Sequence, residues 1–238
     1  LMVNMGASYY HGSERRRIES RVAFSNADGG GFGRPKKIVL PESIVTGWDW
    51  LWRVTWHDGA AWGCVQQVPE NVERSLHLVR SQDGIRYEHV TALRVDSPAE
   101  TTLRFLPDDT MIAMARRTGS SPSGWIGLAE PPYTDWHFRP ANKAFGGPNL
   151  IRLPNGDWLA GSRAYDERPY TTVLWKLDLH TARFEELLTL PSGGDTSYPG
   201  FAIDEEANRL LVSYYSGHEG KPAIYLATLR LDRVQAAP

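Results

Sequence analysis

The sequence repeats a pair of short apolar runs joined by a tight turn, at intervals of about fifty residues. The turns are Asp58-Gly59, Asp108-Asp109, Asn155-Gly156 and residues 204–208. From Gly59 to Asp109 is 50 residues, from Asp109 to Gly156 is 47, and from Gly156 to Asn208 is 52. Asp-Gly or Asn-Gly between two apolar runs is the strongest local signal for a β-hairpin. The chain is therefore predicted to be a repeating all-β protein.

Each of these hairpins is followed by a third apolar run, a fifth such run lies in the first repeat (Arg21–Ser25), and four of the five runs lead to a turn and an aromatic residue. The aromatic residues are Phe32, Tyr87, Trp136 and Phe184. Four strands per repeat of this length is the content of one propeller blade, whose strands we name a to d from the axis outward. We expect residues 1–238 to form one domain, an all-β β-propeller of four-stranded antiparallel blades. The expected number of blades is five to six, with the first blade incomplete because it lacks its a strand.

The start of the chain, its net charge and its single cysteine bear on the compartment, the binding partners and the cofactors of the protein. Leu1 opens inside a strand-like run without a methionine, so we expect native sequence before it, and the compartment does not follow. The net charge of -2 argues against a nucleic-acid or anionic-membrane partner, and the sequence carries no signal for oligomeric state. Cys64 is the only cysteine, which excludes an internal disulfide, and we expect it to be a small buried hydrophobic residue. No metal ion or other cofactor is expected.

Hairpin geometry sorts the polar residues onto two faces of the predicted propeller. The start of strand a and the end of strand b lie on one face, and the a–b and c–d turns lie on the other. The first face is expected to hold Arg53, Glu100, Tyr198, Arg116, Arg163, Tyr215 and the loop residue His218. Solvated strand ends are the alternative interpretation, but Arg116 and Arg163 fall at the same place in successive blades. We therefore expect a carbohydrate-binding face, with His57, Asp83 and Gly84 on the opposite one.

Residues 81–87 (SQDGIRY) resemble a shortened Asp-box, the c–d turn signature of the sialidase superfamily, and residues 25–32 are a looser copy. On the other face, Glu100 and Arg116 resemble the glutamate and arginine that the family places on one a–b hairpin. Arg163 stands where the next blade supplies another arginine. Residues 194–200, with Tyr198, are similar to the segment of the nucleophilic tyrosine, although Pro199-Gly200 departs from the family pattern.

The resemblance implies an exo-glycosidase, a sialidase-like glycoside hydrolase that releases a terminal acidic sugar such as sialic acid from glycans. Arg116 and Arg163 would bind the sugar carboxylate through bidentate bonds. Tyr198 would be the nucleophile and Glu100 its base, a known exception to the two-carboxylate scheme. Asp49 is the first choice for the acid/base and Asp195 the second, and a capping or turn role is the alternative for each.

The remaining expected substrate contacts are Arg53, Asp195, Tyr215 and His218. Two other functions stay open. One is a propeller that binds glycans without cleaving them, with the arginines as carboxylate receptors. The other is a propeller glycosidase or lyase that acts on another polysaccharide, neutral or uronic. Function is carried by sites rather than by folds, so the fold alone does not decide among the three.

Overall fold

The computed structural model of the chain describes residues 1–68, 73–119, 123–166 and 168–236. The strands are β1 (Met2–His11), β2 (Glu14–Phe24), β3 (Lys36–Lys37), β4 (Asp49–His57), β5 (Ala60–Gln67), β6 (Ser75–Ser81), β7 (Glu88–Ala92), β8 (Pro98–Phe105), β9 (Met111–Arg117), β10 (Ser123–Ala129), β11 (His137–Arg152), β12 (Trp158–Ala164), β13 (Thr171–Asp178), β14 (Arg183–Thr189), β15 (Thr196–Asp204), β16 (Arg209–Ser216) and β17 (Ala223–Arg230). A 3-10 turn (Glu42–Ile44) and a short helix α1 (Leu231–Ala236) are the helical elements of these ranges. Neighbouring strands pair antiparallel, which confirms the predicted all-β class. No helix within the described ranges is long and apolar enough to span a membrane.

The chain divides into two compact units, of which the first is Leu1–Ile112 with Leu128–Trp136. It contains a three-stranded sheet of order β1-β2-β3, a four-stranded sheet of order β4-β5-β6-β7, and strand β8. The two sheets correspond to the predicted b–c–d set and to the first complete blade. Val22, Leu51, Val65 and Val79 lie in one buried cluster, so alternate residues of these strands form the core of this unit.

The second unit is Ala113–Gly127 with His137–Pro238. It contains most of β9 and β10, and β11 to β14 follow them in order as hydrogen-bonded neighbours. A further three-stranded sheet has the order β15-β16-β17, as expected for an a–b–c set. Leu159, Leu174 and Leu210 are fully buried in the core of this second unit, and helix α1 adds Leu231. The number of blades stays a prediction.

The hairpin turns adopt the conformation that their residues indicate. Asp58 and Gly59 have φ values of 45° and 68°, and Gly156 has a φ of 94°. Asp109 and Asn208 also lie in the left-handed region, at 65° and 53°. Asp, Asn and Gly tolerate this region best, which explains why they occupy the tips of the hairpins.

Strand β11 differs from the expectation of two separate strands in this part of the chain. Four strands per repeat place the d strand of one blade and the a strand of the next between Trp136 and the Asn155-Gly156 turn, but β11 runs without a break from His137 to Arg152. The pairing of β11 with β12 shifts register between Gly146 and Asn149, which is a β-bulge. A bulge bends a strand without ending it, so one strand contains both predicted segments.

Candidate functional site

A β-bulge at the start of strand β15 sets the conformation of Tyr198. The pairing of β15 with β16 shifts register between Ser197 and Gly200, as it does in β11. Tyr198 has a φ of 57°, and Gly147 in the β11 bulge has a φ of 58°. The left-handed conformation is unfavourable for a bulky residue, and it persists only where the surrounding contacts enforce it. Tyr198 is therefore a strained residue in a repeated structural feature.

Gly147 provides the space that the Tyr198 ring occupies. A Cβ atom added to Gly147 would lie 2.1 Å from Cδ1 of Tyr198. Two side chains tie the bulges together: the Ser197 hydroxyl donates to the Gly146 carbonyl at 2.7 Å, and the Asn149 amide donates to the Pro199 carbonyl at 2.8 Å. Both Ser197 and Asn149 are buried. These contacts fix the backbone on which the Tyr198 side chain stands.

Arg163, Asp195 and Tyr215 form a closed triangle of hydrogen bonds. Arg163 Nη2 lies 2.6 Å from Asp195 Oδ1 and 2.8 Å from the Tyr215 oxygen, and the Tyr215 hydroxyl donates to Asp195 Oδ1 at 2.8 Å. Arg163 Nε donates to the Thr196 carbonyl at 2.7 Å, which holds the guanidinium in place. The rings of Tyr198 and Tyr215 meet edge to face at 5.3 Å. The structure thus brings together four of the residues that the sequence singled out.

The electrostatics of this cluster keep Tyr215 neutral and Arg163 charged. Burial raises the pKa of Tyr215, and the hydrogen bond to the Asp195 carboxylate raises it further. Burial by itself would lower the pKa of Arg163, but Tyr215, Tyr165 and Asp195 outweigh it, and the net pKa is raised. The Arg163 side chain is 19% exposed and that of Asp195 is 69% exposed. The positive charge is therefore largely shielded from solvent, whereas the carboxylate that neutralises it faces solvent.

Arg116 lies against the same aromatic ring as Arg163. The guanidinium carbons of Arg116 and Arg163 are 5.9 Å and 6.0 Å from the centroid of Tyr165. Tyr165 was not identified from the sequence, because its position just beyond strand β12 has no distinctive neighbour pattern. His218 makes its described contacts elsewhere, with the Ser216 hydroxyl at 2.9 Å and with the ring of Tyr225 at 4.8 Å.

Asp49 belongs to the first unit and stabilises the turn that precedes β4. Its Oδ2 accepts hydrogen bonds from the Thr46 and Gly47 amides, both at 3.0 Å, and its Oδ1 accepts one from the Gln67 side chain at 2.8 Å. This is the turn role that the sequence left as the alternative. Its role as acid/base stays a prediction, as do the roles of the two other predicted residues in this unit. Of these, Glu100 is buried on β8, and the guanidinium of Arg53 lies 5.4 Å from the Trp52 ring.

A second carboxylate of the first unit, Glu19 on β2, was missed by the sequence analysis. It accepts hydrogen bonds from the Tyr9 hydroxyl at 2.8 Å and from Arg21 Nη2 at 2.6 Å, and it lies 3.3 Å from Lys37 Nζ. Burial would raise the pKa of Glu19, but these donors reverse the effect and lower it to about 2. The alternation of Arg17, Glu19 and Arg21 along one face of β2 is the signal that was available.

The described residues contain no group of three or more His, Cys, Asp and Glu side chains arranged to hold a metal ion. No protein-family model matches the sequence. A search of curated proteins likewise finds no match.

Solved structures of carbohydrate-active enzymes share the fold. The GH43_1 enzyme from Xanthomonas citri, complexed with xylose, is 9% identical, with a TM-score of 0.62 over 96% of this chain and 83% of that one. The β-1,2-mannobiose phosphorylase from Listeria innocua is 16% identical, with a TM-score of 0.63 over 92% of this chain and 68% of that one. The xyloglucan-locus GH43B protein from Bacteroides ovatus is 12% identical, with a TM-score of 0.53 over 74% of this chain.

The chain spans 38% of the length of this last protein. At these identities the likeness concerns the fold, which is an all-β arrangement of antiparallel sheets shared with β-propeller glycosidases. The structural neighbours therefore support the predicted all-β propeller class of fold, and the three solved structures named above are not sialidases.

Proposed function

We propose that the chain is a glycosidase that releases a terminal sugar from a glycan, and that Tyr198, Tyr215, Arg163 and Asp195 form the part of its site that contacts that sugar. The observation that carries the proposal is the strained Tyr198 beside the Arg163–Asp195–Tyr215 triangle. Backbone strain clusters at functional sites, where it is retained at a cost in stability. The structural neighbours, which include an enzyme complexed with xylose, make a glycoside the natural class of substrate.

The more specific part of the proposal is an acidic terminal sugar. Two guanidinium groups flank Tyr165, and Asp195 provides the exposed carboxylate that pairs with Arg163. A carboxylate on the sugar could replace Asp195 on Nη2 of Arg163, because the Asp195 carboxylate is 69% exposed and can turn to solvent. Asp195 then becomes available as the acid, which is the role that the sequence gave it as second choice.

The reaction proposed from the sialidase resemblance balances as a double displacement. The Tyr198 oxygen attacks the anomeric carbon and loses its proton to a carboxylate, while an aspartic acid protonates the departing glycosidic oxygen. Water, deprotonated by the same aspartate, then attacks the anomeric carbon, and Tyr198 leaves with the proton that the first carboxylate returns. Tyr215 packs against the Tyr198 ring and orients it. The resemblance assigns the phenolic proton to Glu100, and the Glu100→Gln variant tests that role separately.

Glycan binding without cleavage is the second candidate, and one observation favours it. The carboxylate of Asp49, the first choice for the acid, is buried and accepts hydrogen bonds from Thr46, Gly47 and Gln67. Both oxygens of this carboxylate are engaged in these bonds, which gives the first-choice acid a structural role in the turn.

Hydrolysis of a panel of aryl glycosides, one acidic and several neutral, separates the candidates. We expect turnover of the acidic glycoside, a loss of about a thousandfold or more in kcat for Tyr198→Phe, and a large rise in KM for Arg163→Ala. Tyr10→Phe and Arg183→Ala are the matched controls, since both side chains are exposed and lie outside the cluster. Turnover of neutral glycosides alone would contradict the acidic substrate. Binding of glycans with no turnover of any glycoside would support the second candidate.

A further inference from the structure

A cavity of about 490 Å³ lies at the turn end of the four-stranded sheet β4–β7, in the first unit. The residues that line it include His57, Trp62, Arg80, Glu88, Asp109 and Tyr133. Ligand pockets fall in the range of ~300–1,000 Å³, so its size suits a small ligand. Strands β4 and β5 are nine and eight residues long, which places the cavity ~25 Å from Asp49 at the other end of the same strands. It is therefore separate from the polar strand ends that the sequence analysis singled out.

Aromatic contacts hold the wall of the cavity in place. The His57 ring stacks on Phe105 with a centroid distance of 3.8 Å, and Tyr133 meets Trp62 edge to face at 5.0 Å. The Tyr133 hydroxyl donates to the Asp109 carbonyl at 3.0 Å, and Tyr133 itself has a φ of 67°. A bulky residue in the left-handed region beside packed rings indicates a preformed wall.

Arg80 supplies a donor that has no acceptor. Its Nε atom is buried and has no hydrogen-bond partner among the residues that the structure describes. Its guanidinium carbon lies 5.4 Å from the centroid of Trp62, so the aromatic wall positions the group. A buried donor without an acceptor is unfavourable, and Arg80 also lines the cavity, where its guanidinium can donate to a ligand oxygen.

The charges around the cavity distinguish between ligand classes. Asp58, Glu88 and Asp109 place three carboxylates on its lining, against the single guanidinium of Arg80 and two imidazoles, those of His57 and His89. Nε2 of His57 already lies 2.8 Å from Oδ1 of Asp109, within hydrogen-bond distance. An anionic ligand would meet a surplus of negative charge, whereas sugar hydroxyls can accept from Arg80 and donate to the carboxylates.

From this arrangement we propose that the cavity is a second glycan-binding site, which takes one unit of a neutral oligosaccharide and acts independently of the Tyr198 cluster. Binding at the cavity does not depend on the proposed function, whereas the expected effect on KM rests on it. The site would hold a polymer on the protein while its terminal unit is processed elsewhere. We therefore expect it to affect KM for polymers and to leave the turnover of small aryl glycosides unchanged.

Calorimetric titration of the full chain with xylohexaose, mannohexaose and sialyllactose tests the site. We expect a neutral hexasaccharide to bind, and Arg80→Gln to weaken its affinity about tenfold or more, since a hydrogen bond to a charged group is lost. Glu88→Trp, which fills the mouth of the cavity from an exposed position, should do the same. Arg86→Gln is the control, since its side chain is 77% exposed on the neighbouring turn. Arg163→Ala should leave this binding intact.

Absence of binding by any neutral hexasaccharide would overturn the proposal, as would binding that is lost in Arg163→Ala and retained in Arg80→Gln. If sialyllactose alone bound, and bound through Arg80, the proposal that the ligand is neutral would be overturned. Arg80-dependent binding of a neutral hexasaccharide, in a chain that cleaves no glycoside, would support the cavity and contradict the proposed function. Thermal unfolding of each variant shows whether it is folded. If Arg80→Gln does not fold, Glu88→Trp still tests the cavity.

Discussion

Glu19→Gln is expected to destabilise the chain by an amount that depends on pH. The Glu19 side chain is 7% exposed, and its pKa is lowered from 4.5 to about 2 by hydrogen bonds that outweigh its burial. A shift of this size corresponds to about 3 kcal/mol of stability, at ~1.36 kcal/mol per pKa unit. Because the folded pKa is the lower one, this stability is present above pH 4.5 and is lost as the pH falls toward 2. The variant also leaves Arg21 and Lys37, which are directly opposite in the β2–β3 pair, without a shared anion.

Urea unfolding of the wild type and of Glu19→Gln at pH 7 and pH 3 measures the effect. We expect a difference in the free energy of unfolding of about 3 kcal/mol at pH 7 and about 1 kcal/mol at pH 3. Glu14→Gln is the matched control on the same strand, since Glu14 pairs with Arg16 at 2.7 Å and both side chains are more than half exposed. Its expected cost is below about 1 kcal/mol at either pH. Equal differences for the two variants, or a difference for Glu19→Gln that is the same at both pH values, would refute the reasoning.

Two further predictions concern Gly147 and Cys64. Gly147→Ala should destabilise the chain and reduce turnover, because its Cβ would lie 2.1 Å from the Tyr198 ring, whereas Gly220→Ala has the strain of a left-handed φ but no neighbour within 4 Å. Urea unfolding and glycoside assays of the two variants check this, and equal effects would contradict the role of Gly147. Cys64 is fully buried and its pKa is raised by burial, so its thiol should react with a disulfide reagent only after unfolding. Stoichiometric labelling of the Cys64 thiol in the folded chain would contradict the burial of Cys64.

Local features of the fold were predictable because their causes are local. Asp58-Gly59 and Asn155-Gly156 indicate hairpins from two residues each, and Gly59 and Gly156 have the positive φ values that such turns require. The apolar runs on either side of them became paired strands. The continuous strand β11 was not predictable in this way, because its register depends on how Gly146 and Asn149 pair with β12.

The candidate site was predictable in composition and less so in geometry. Hairpin positions indicated that Arg163, Tyr198 and Tyr215 belong to one face, and the structure brings the three side chains together with Asp195. The bulge that strains Tyr198 could not be predicted, since it depends on the register in which β15 pairs with β16. The bonds of Glu19 to Tyr9 and Lys37 likewise join residues from three different strands.

Covalent trapping of the nucleophile tests the central claim most directly. Activated fluorinated sugars, one acidic and one a neutral pentose, are incubated with the chain, and the labelled residue is identified by peptide mass spectrometry. In a retaining mechanism such a probe stays bonded to the attacking side chain. We predict that the acidic probe labels Tyr198 and that Tyr198→Phe remains unlabelled. Label on Tyr215, on a carboxylate, or on no residue of a chain that turns over the matching aryl glycoside would contradict the account.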